Sequence, residues 1–297
     1  MERRVFVSVN TDLTLDQPRR ELKRAVLERL IDAGYSPQIP FERGLPSSKS
    51  WVFDQINSVM RRCHGALVLG FPRWRTTPPD GKPIMLVGEY SHYEGAVALA
   101  YGLPTLIAAE QDVARRGIVD QAGGRAIAPI PANATPTTLF SGEFGRAFDA
   151  WLDEMKDRRD VFLGYCSRSK AIANAIQASV RAAGGSVHDW AMDFRAGASI
   201  LDEIEAARDR CGRGIFVFSK DDPHEGPAGQ AAPRDNVVFE AGVFIGTKGA
   251  RNCLIVRVGD AKMPADLGGT IYVSLPSAGE VSSIDEQVRQ FVDGSIQ

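Results

Sequence analysis

Cysteine is scarce in this sequence, and its spacing argues against two common uses of the residue. The 297 residues include only Cys63, Cys166, Cys211 and Cys253, and no two of these form a C-x-x-C pair. Each lies within or beside an apolar or helical segment, as buried thiols of a reducing compartment do. We therefore expect neither a disulfide framework nor a zinc site.

Long apolar runs and a surplus of one charge are missing as well. No apolar run approaches the ~20 residues that span a bilayer. The amino terminus passes from charged residues 2–4 directly into a strand-like segment, without the apolar core of a secretion signal. The 35 basic and 37 acidic residues nearly cancel, so no broad attraction to nucleic acid or acidic membranes is expected. These features predict a soluble cytoplasmic protein with no membrane or direct nucleic-acid partner.

Familiar catalytic and phosphate-binding motifs are absent too. Neither G-x-x-x-x-G-K-[ST] nor G-x-G-x-x-G follows a strand-like run, which disfavours a standard nucleoside triphosphatase or dinucleotide oxidoreductase. H-E-x-x-H and G-x-S-x-G do not occur, and the four histidines are isolated from one another. We expect no metal site and no bound cofactor.

What the chain does contain is the same order of signals twice. A strand-like run, a helix, a second helix and a buried strand are followed by SHYEGAVALAYGLPTLIAA (91–109) in the first half and by NVVFEAGVFIGTKGARNCLIVRV (236–258) in the second. Cys63 and Cys211 are 148 residues apart, and Glu94 and Glu240 are 146 residues apart. Two separations this close, with the order of the motifs kept, indicate duplication of one plan.

Alternating strands and helices of this length predict a parallel sheet covered by helices on both faces. The sequence therefore predicts an α/β protein of two tandem flavodoxin-like, or Rossmann-like, three-layer domains, residues 1–150 and 158–297. The boundary is expected near residues 131–160. The helix predicted over residues 142–157 is compatible with membership of the first domain or with a bridge between the two.

Glu240 stands out because it lies inside the apolar helical segment NVVFEAGVFIG. A carboxylate is costly there unless it is paired or reached by solvent. It could favour the helix dipole, form an ion pair with Arg234, or face a cleft at the carboxyl ends of the strands, where open parallel sheets bind ligands. In the last case it would be offered to a ligand hydroxyl or to a developing cation.

A single carboxylate suffices to assist cleavage of an N-glycosidic bond whose base departs as a neutral molecule. The sugar acquires oxocarbenium character, which a nearby carboxylate stabilises. Aromatic side chains that hold flat rings are also needed, and Tyr165, Trp190 and Phe194 fall near the ends of predicted strands. Phe162 lies inside a strand, where a core position is expected.

The second half resembles the prokaryotic TIR-like, predicted nucleotide-binding domains. The matching segments are VFLGYCSRSKAIANAIQ, WAMDFRAG, ILDEIEAARDRC, GIFVFSKDD, and above all RDNVVFEAGVFIG followed by NCLIVRV, within residues 160–275. The resemblance implies an effector of bacterial antiphage defence that hydrolyses NAD to nicotinamide and linear or cyclic ADP-ribose. It also implies a nucleotide second messenger as trigger and self-association, with NAD as substrate and no further cofactor.

The resemblance assigns roles residue by residue. The glutamate of the family's N-x-x-F-E-x-G motif is catalytic and corresponds to Glu240. Asn236 and Phe239 correspond to the asparagine and phenylalanine of that motif, and Asp221 and Asp222 correspond to the family's acidic pair. Together with Ser167 of the first loop and the aromatic Trp190 and Phe194 near the strand ends, they are the expected substrate-binding residues. In the first loop this chain reads GYCSRS, whereas the family often has glycine and histidine there.

The first half is similar to the helix of nucleoside 2-deoxyribosyltransferases through SHYEGAVALAYGLPTLI. This similarity implies a second site with Glu94 and Tyr93, to which Arg73 and Trp74 could contribute from the long segment before the helix. Glu94 is then a second catalytic carboxylate, a nucleotide-sensing residue, or a relic of the duplication.

Three functions remain open from the sequence. The first is an NAD glycohydrolase effector with an amino-terminal sensing or regulatory domain. The second is a non-catalytic tandem nucleotide-binding signalling protein, and the third is a nucleoside or nucleotide N-glycosidase that uses Glu94.

Overall fold

A computed structural model describes most of the chain, namely residues 3–39, 52–79, 81–120, 126–194, 197, 199–223, 231–264, 267, 271–277, 280–293 and 295. The chain divides into two compact units, Glu2–Asp157 and Arg158–Gln297. Among the described residues, every helix is too short or too polar to cross a bilayer.

The first unit alternates strands with helices along the chain. Its described elements are β1 (Arg3–Ser8), α1 (Gln17–Asp32), β2 (Tyr35–Gln38), α2 (Val52–Met60), β3 (Gly65–Gly70), β4 (Trp74–Thr76), β5 (Ile84–Leu86), α3 (Glu89–Ala100), β6 (Thr105–Glu110), β7 (Ala128–Ile130) and α4 (Glu143–Lys156). Local signals set the ends of α1: the Asp16 carboxylate accepts a 3.1 Å hydrogen bond from the Arg19 amide, and Gly34 turns the chain at φ +85°.

The second unit repeats this alternation. Its described elements are β8 (Arg159–Gly164), α5 (Lys170–Ala182), β9 (Val187–Asp189), α6 (Trp190–Asp193), α7 (Ile200–Arg210), β10 (Cys211–Phe218), β11 (Asp222–Pro223), β12 (Ala231–Ala232), α8 (Asp235–Lys248), β13 (Cys253–Val258), β14 (Ile271–Leu275) and α9 (Asp285–Asp293).

The main sheets of the two units share one strand order. The first is β2-β1-β3-β6-β7 and the second is β9-β8-β10-β13-β14, with parallel pairing throughout. Written by position in each unit, both orders are 2-1-3-4-5, the flavodoxin-like arrangement. The predicted fold class of two tandem flavodoxin-like α/β domains is confirmed.

Each unit also carries a short antiparallel hairpin that the sequence did not indicate. Strand β4 pairs with β5 in the first unit, and β11 pairs with β12 in the second. In both units the hairpin lies between the third strand of the sheet and the helix that carries the glutamate of the repeated motif, Glu94 or Glu240. The common placement extends the internal duplication beyond the segments that match in sequence.

Helices cover both faces of each sheet, which gives the predicted three layers. In the first unit one core joins α1 and α4 to one face of the sheet, and a second cluster joins α2 and α3 to the other. A third cluster packs loop residues such as Val113 and Val119 against β3 and β6. In the second unit α5 and α9 pack on one face and α7 and α8 on the other.

Helix α4 completes the core of the first unit and does not stand apart as a bridge. Phe148, Trp151 and Met155 are buried in that core, and the Trp151 indole donates a 3.0 Å hydrogen bond to the Pro104 carbonyl. The first unit therefore extends through this helix to Asp157.

Candidate functional site

A cavity of about 610 Å³ opens at the carboxyl end of the second unit's sheet. Its walls come from the loop after β8, from α6, and from the starts of α7 and α8. The lining residues are Tyr165, Cys166, Ser167, Trp190, Ala191, Phe194, Ile200, Glu203, Arg234, Asn236, Val237 and Glu240. This is the edge at which open parallel sheets bind ligands, and the size lies within the range of small-molecule sites.

Glu240 reaches this cavity from the second turn of α8. Its side chain is only 7% exposed, and its Oε2 has no hydrogen-bond partner among the described residues. Burial raises the pKa of Glu240 to about 8. Burial is the cause of this rise, so within the described part of the chain an ion pair with Arg234 does not explain the carboxylate.

Gly164, the last residue of β8, makes room for that carboxylate. A Cβ at position 164 would stand 2.6 Å from Glu240 Oε2 and 2.7 Å from Phe216 Cδ1. Any side chain would therefore collide with the carboxylate or with the buried ring beneath it. The absence of a side chain at the end of β8 is what allows Glu240 to lie over the strand.

Tyr165 and Asp189 hold the aromatic wall in place. The Tyr165 hydroxyl donates a 2.9 Å hydrogen bond to Asp189 Oδ1, which also accepts 3.1 Å from the Ala191 amide. The Trp190 indole donates 3.1 Å to the Tyr165 carbonyl. These bonds link the ends of β8 and β9, and they fix the Trp190 ring with its centroid 5.6 Å from that of Tyr165.

Phe194 adds a second flat surface, supported from below. Its ring stacks on Phe162 at 6.3 Å between centroids, and Phe162 stacks in turn on Phe244 at 4.9 Å. Phe162 is fully buried, as expected from its position inside the strand. It therefore supports the wall and does not meet a ligand.

The cavity brings together five of the predicted site residues, namely Ser167, Trp190, Phe194, Asn236 and Glu240. It also includes Glu203 and Arg234, to which the sequence analysis gave no ligand role. Glu203 is buried on α7 beside Ile204 and Ala207. A carboxylate on the apolar face of a helix is the signal that identified Glu240, and it applied to Glu203 as well.

Asp221 lies outside the cavity and is engaged in a structural cluster. Its carboxylate accepts hydrogen bonds of 3.0 and 2.9 Å from the Ser219 hydroxyl and 3.3 Å from the Arg234 amide. Its carbonyl accepts 3.1 Å from Arg168. Asp221 thus joins the loops that frame the cavity, a role that differs from the predicted contact with substrate.

Two other predicted contacts are not in the cavity either. Phe239 is 52% exposed on α8, because it lies about 100° around the helix from Glu240. Asp222 begins the short strand β11, and its side chain lies outside the described residues.

In the first unit, Glu94 is buried on α3 at 3% exposure, while its predicted neighbour Tyr93 faces another way. The Tyr93 hydroxyl donates a 3.3 Å hydrogen bond to Asn57, and its ring contacts Phe53 at 4.4 Å. Tyr93 therefore packs α3 against α2, and the structure does not place it with Glu94 as a site residue. Arg73 and Trp74 contact each other, with the guanidinium carbon 5.1 Å from the ring centroid.

The described residues contain no cluster of histidine, cysteine, aspartate or glutamate suited to a metal ion. The four cysteines are free and buried.

Comparison with known proteins identifies a family model that matches the second unit, and relatives of the chain. Residues 160–277 match the family model described as "CAP12/Pycsar effector protein, TIR domain". CD-NTase-associated protein 12 of Sphingobacterium faecium is 30% identical over 135 residues, which cover 44% of this chain and 41% of that protein.

Two further relatives are named Pycsar effector proteins. PaPycTIR of Pseudomonas aeruginosa is 34% identical over 113 residues, 37% of either chain. BcPycTIR of Burkholderia cepacia is 34% identical over 83 residues, 27% of either chain. The match thus spans less than half the length of each of these relatives.

Proposed function

We propose, from the premise that residues 160–277 are a prokaryotic TIR domain, that the second unit cleaves NAD at the bond between nicotinamide and ribose. The observation that carries the proposal is the buried Glu240 carboxylate in a cavity walled by Trp190 and Phe194. A flat cationic ring and the ribose attached to it are the ligand parts that such a wall and carboxylate suit.

In the proposed reaction the C1′–N bond breaks and its electron pair goes to the pyridinium nitrogen, so nicotinamide leaves neutral. Glu240 stabilises the positive charge that develops on the ribose. Water then attacks C1′ and releases a proton, which yields ADP-ribose. A hydroxyl or ring nitrogen of the same molecule attacking in place of water would give a cyclic product.

Binding of NAD is expected to change the protonation state of Glu240. With a pKa of about 8, the carboxyl is largely protonated at neutral pH when the cavity is empty. The positive pyridinium of bound NAD would favour the ionised form, because an opposite charge within a few ångströms lowers the pKa of a carboxyl. Binding of NAD would thereby produce the carboxylate that the reaction uses.

We further propose that the chain is an antiphage effector triggered by a nucleotide signal and by self-association. Support comes from the names of its relatives, CD-NTase-associated protein 12 and Pycsar effector proteins.

Nicotinamide release from NAD, measured by chromatography on the purified full chain, tests the activity. The assay is run with and without cyclic nucleotides, and the oligomeric state is followed by light scattering. We expect release by the wild type, none by Glu240→Gln, and wild-type release by Glu205→Gln, the same substitution at an exposed position of α7 in the same unit. A wild type that assembles, binds NAD and releases no nicotinamide would support the non-catalytic binding function instead.

A further inference from the structure

Two buried polar groups of the first unit lie at the carboxyl end of its sheet. Ser8 is 2% exposed and Glu94 is 3% exposed. Apart from the interaction between these two side chains, neither Ser8 Oγ nor Glu94 Oε1 has a hydrogen-bond partner among the described residues. Buried polar groups in folded proteins rarely have so few partners.

The two groups are neighbours. Burial raises the pKa of Glu94 to about 7, and the Ser8 hydroxyl opposes part of that rise. The site thus presents one carboxyl and one hydroxyl side by side, both withdrawn from solvent and both able to bond to a ligand hydroxyl.

Ser8 and Glu94 occupy in the first unit the positions that Gly164 and Glu240 occupy in the second. Ser8 ends β1 and is in register with Val68 of β3, as Gly164 ends β8 and is in register with Phe216 of β10. Glu94 is the sixth residue of α3, and Glu240 is the sixth residue of α8. The two carboxyls therefore occupy equivalent positions over equivalent strands.

The difference between the units lies at the strand end. Where the second unit has Gly164, with no side chain beside the Glu240 carboxylate, the first has the hydroxyl of Ser8. A carboxyl and a hydroxyl together can accept from and donate to two adjacent hydroxyls, as on the 2′ and 3′ carbons of ribose.

The start of α3 adds features that suit a phosphate. Arg73 approaches this helix end, with its Cγ 3.6 Å from the position that a Cβ on Gly88 would take, and its guanidinium lies against Trp74, which is 48% exposed. The Glu89 carboxylate lies at the same helix start, where it accepts from its own backbone amide and from Trp74 and lies near Arg73. A bound phosphate would replace this carboxylate there, since a helix start and a guanidinium both favour an anion.

We propose that the first unit holds a second ligand site, in which Glu94 and Ser8 bind the ribose hydroxyls of a nucleotide and Arg73 with the start of α3 binds its phosphate. The rise of α3 from its first residue to Glu94 is about 8 Å, a span that a single nucleoside monophosphate bridges. The site binds its ligand without a covalent step, and it does not depend on NAD cleavage by the second unit.

Calorimetric titration of the full chain with AMP and, separately, with ADP-ribose tests the site. Three variants are compared with the wild type: Glu94→Gln, Ser8→Ala and Glu240→Gln. We expect at least one probe to bind the wild type and Glu240→Gln equally, and to bind Glu94→Gln at least about tenfold more weakly, since a bond to a charged group is lost. Ser8→Ala should weaken binding by a smaller factor, and 2′,3′-dideoxy-AMP should bind the wild type as weakly as AMP binds Glu94→Gln.

The controls separate this proposal from the function of the second unit. Glu28→Gln, at an exposed position of α1, should bind like the wild type, and melting temperatures establish that each variant is folded. Binding that is lost in Glu240→Gln and kept in Glu94→Gln would place the nucleotide in the second unit alone and overturn the proposal. The proposal would also be overturned if neither AMP nor ADP-ribose bound the wild type at millimolar concentration. Nicotinamide release is a separate readout, so its failure would leave this result intact.

Discussion

The Oε2 atom of Glu240 lies 2.6 Å from the point that a Cβ on Gly164 would occupy. The Glu240 carboxylate on α8 and the main chain of Gly164 on β8 are thus packed so closely that only glycine at position 164 allows the carboxylate its observed position. Because the neighbouring obstacle is the buried ring of Phe216, the strand end has no space into which an added methyl group could move.

The first prediction follows from this contact. Gly164→Ala should displace the Glu240 carboxylate and reduce kcat for NAD cleavage at least about tenfold, because small misplacements of a reacting group carry penalties of this size or more. Nicotinamide release and thermal melting measure the effect. Gly242→Ala on α8 is the matched control, since a Cβ there meets nothing within 4 Å. Full activity of Gly164→Ala would show that the position of the carboxylate is not critical.

The second prediction concerns stability and pH. Glu240 has a folded-state pKa of about 8 against an ordinary value of 4.5. Below pH 4.5 the carboxyl is neutral in both states and costs nothing, whereas at higher pH only the unfolded chain ionises it, until the folded carboxyl also ionises near pH 8. The wild type should therefore lose stability relative to Glu240→Gln between pH 5 and pH 8, by a few kcal/mol in all.

Denaturant unfolding of both proteins at several pH values measures this difference. Glu94 has a raised pKa too, but it is present in both proteins and cancels. A difference between the two proteins that does not change from pH 5 to pH 8 would contradict a buried, raised-pKa carboxyl at position 240.

The third prediction concerns the rate. If the ionised form of Glu240 stabilises the ribose cation, kcat/KM should rise with pH and level off above about 8, because kcat/KM reports the pKa of the free enzyme. Initial rates from pH 6 to 9, corrected for spontaneous NAD hydrolysis, give the profile. A decline over the same range would indicate that the protonated carboxyl is the active form.

The fourth prediction concerns the aromatic wall. Tyr165→Phe removes the bond to Asp189 while keeping the ring, so the Trp190 surface should be held less firmly. KM for NAD should rise several-fold with little change in kcat, and stability should fall by about 1–3 kcal/mol, since the buried Asp189 carboxylate loses a donor. Steady-state kinetics separate the two constants.

Tyr272→Phe on β14 provides the control for that substitution. Tyr272 is 47% exposed and is not among the residues that line the cavity, so both constants should stay at wild-type values. Equal effects of the two substitutions would remove the case for a positioning role of Tyr165.

The sequence was sufficient to predict the repeated α/β plan and to single out Glu240, with a place at the cleft as one of three possibilities. Both follow from local patterns, because buried strands are apolar runs and a glutamate within an apolar helical segment can be recognised from the sequence alone. The Gly164 contact was not visible, because it depends on the distance between a strand end and a side chain 76 positions later in the chain.

Other features escaped prediction for related reasons. The hairpins β4–β5 and β11–β12 have too few residues to show an alternating pattern. Phe239 adjoins Glu240 in sequence, yet helical geometry directs it to solvent. Asp221 was expected at the substrate through the resemblance, whereas hydrogen bonds from Ser219 and Arg234 hold it in the frame of the cavity.

The central claim is that the cavity beside Glu240 receives the nicotinamide riboside part of NAD, and a crystal structure of Glu240→Gln with NAD tests it most directly. We predict the nicotinamide ring against Trp190 or Phe194, with a ribose hydroxyl within hydrogen-bond reach of residue 240. NAD bound with its nicotinamide end outside this cavity, or bound only in the first unit, would contradict the account.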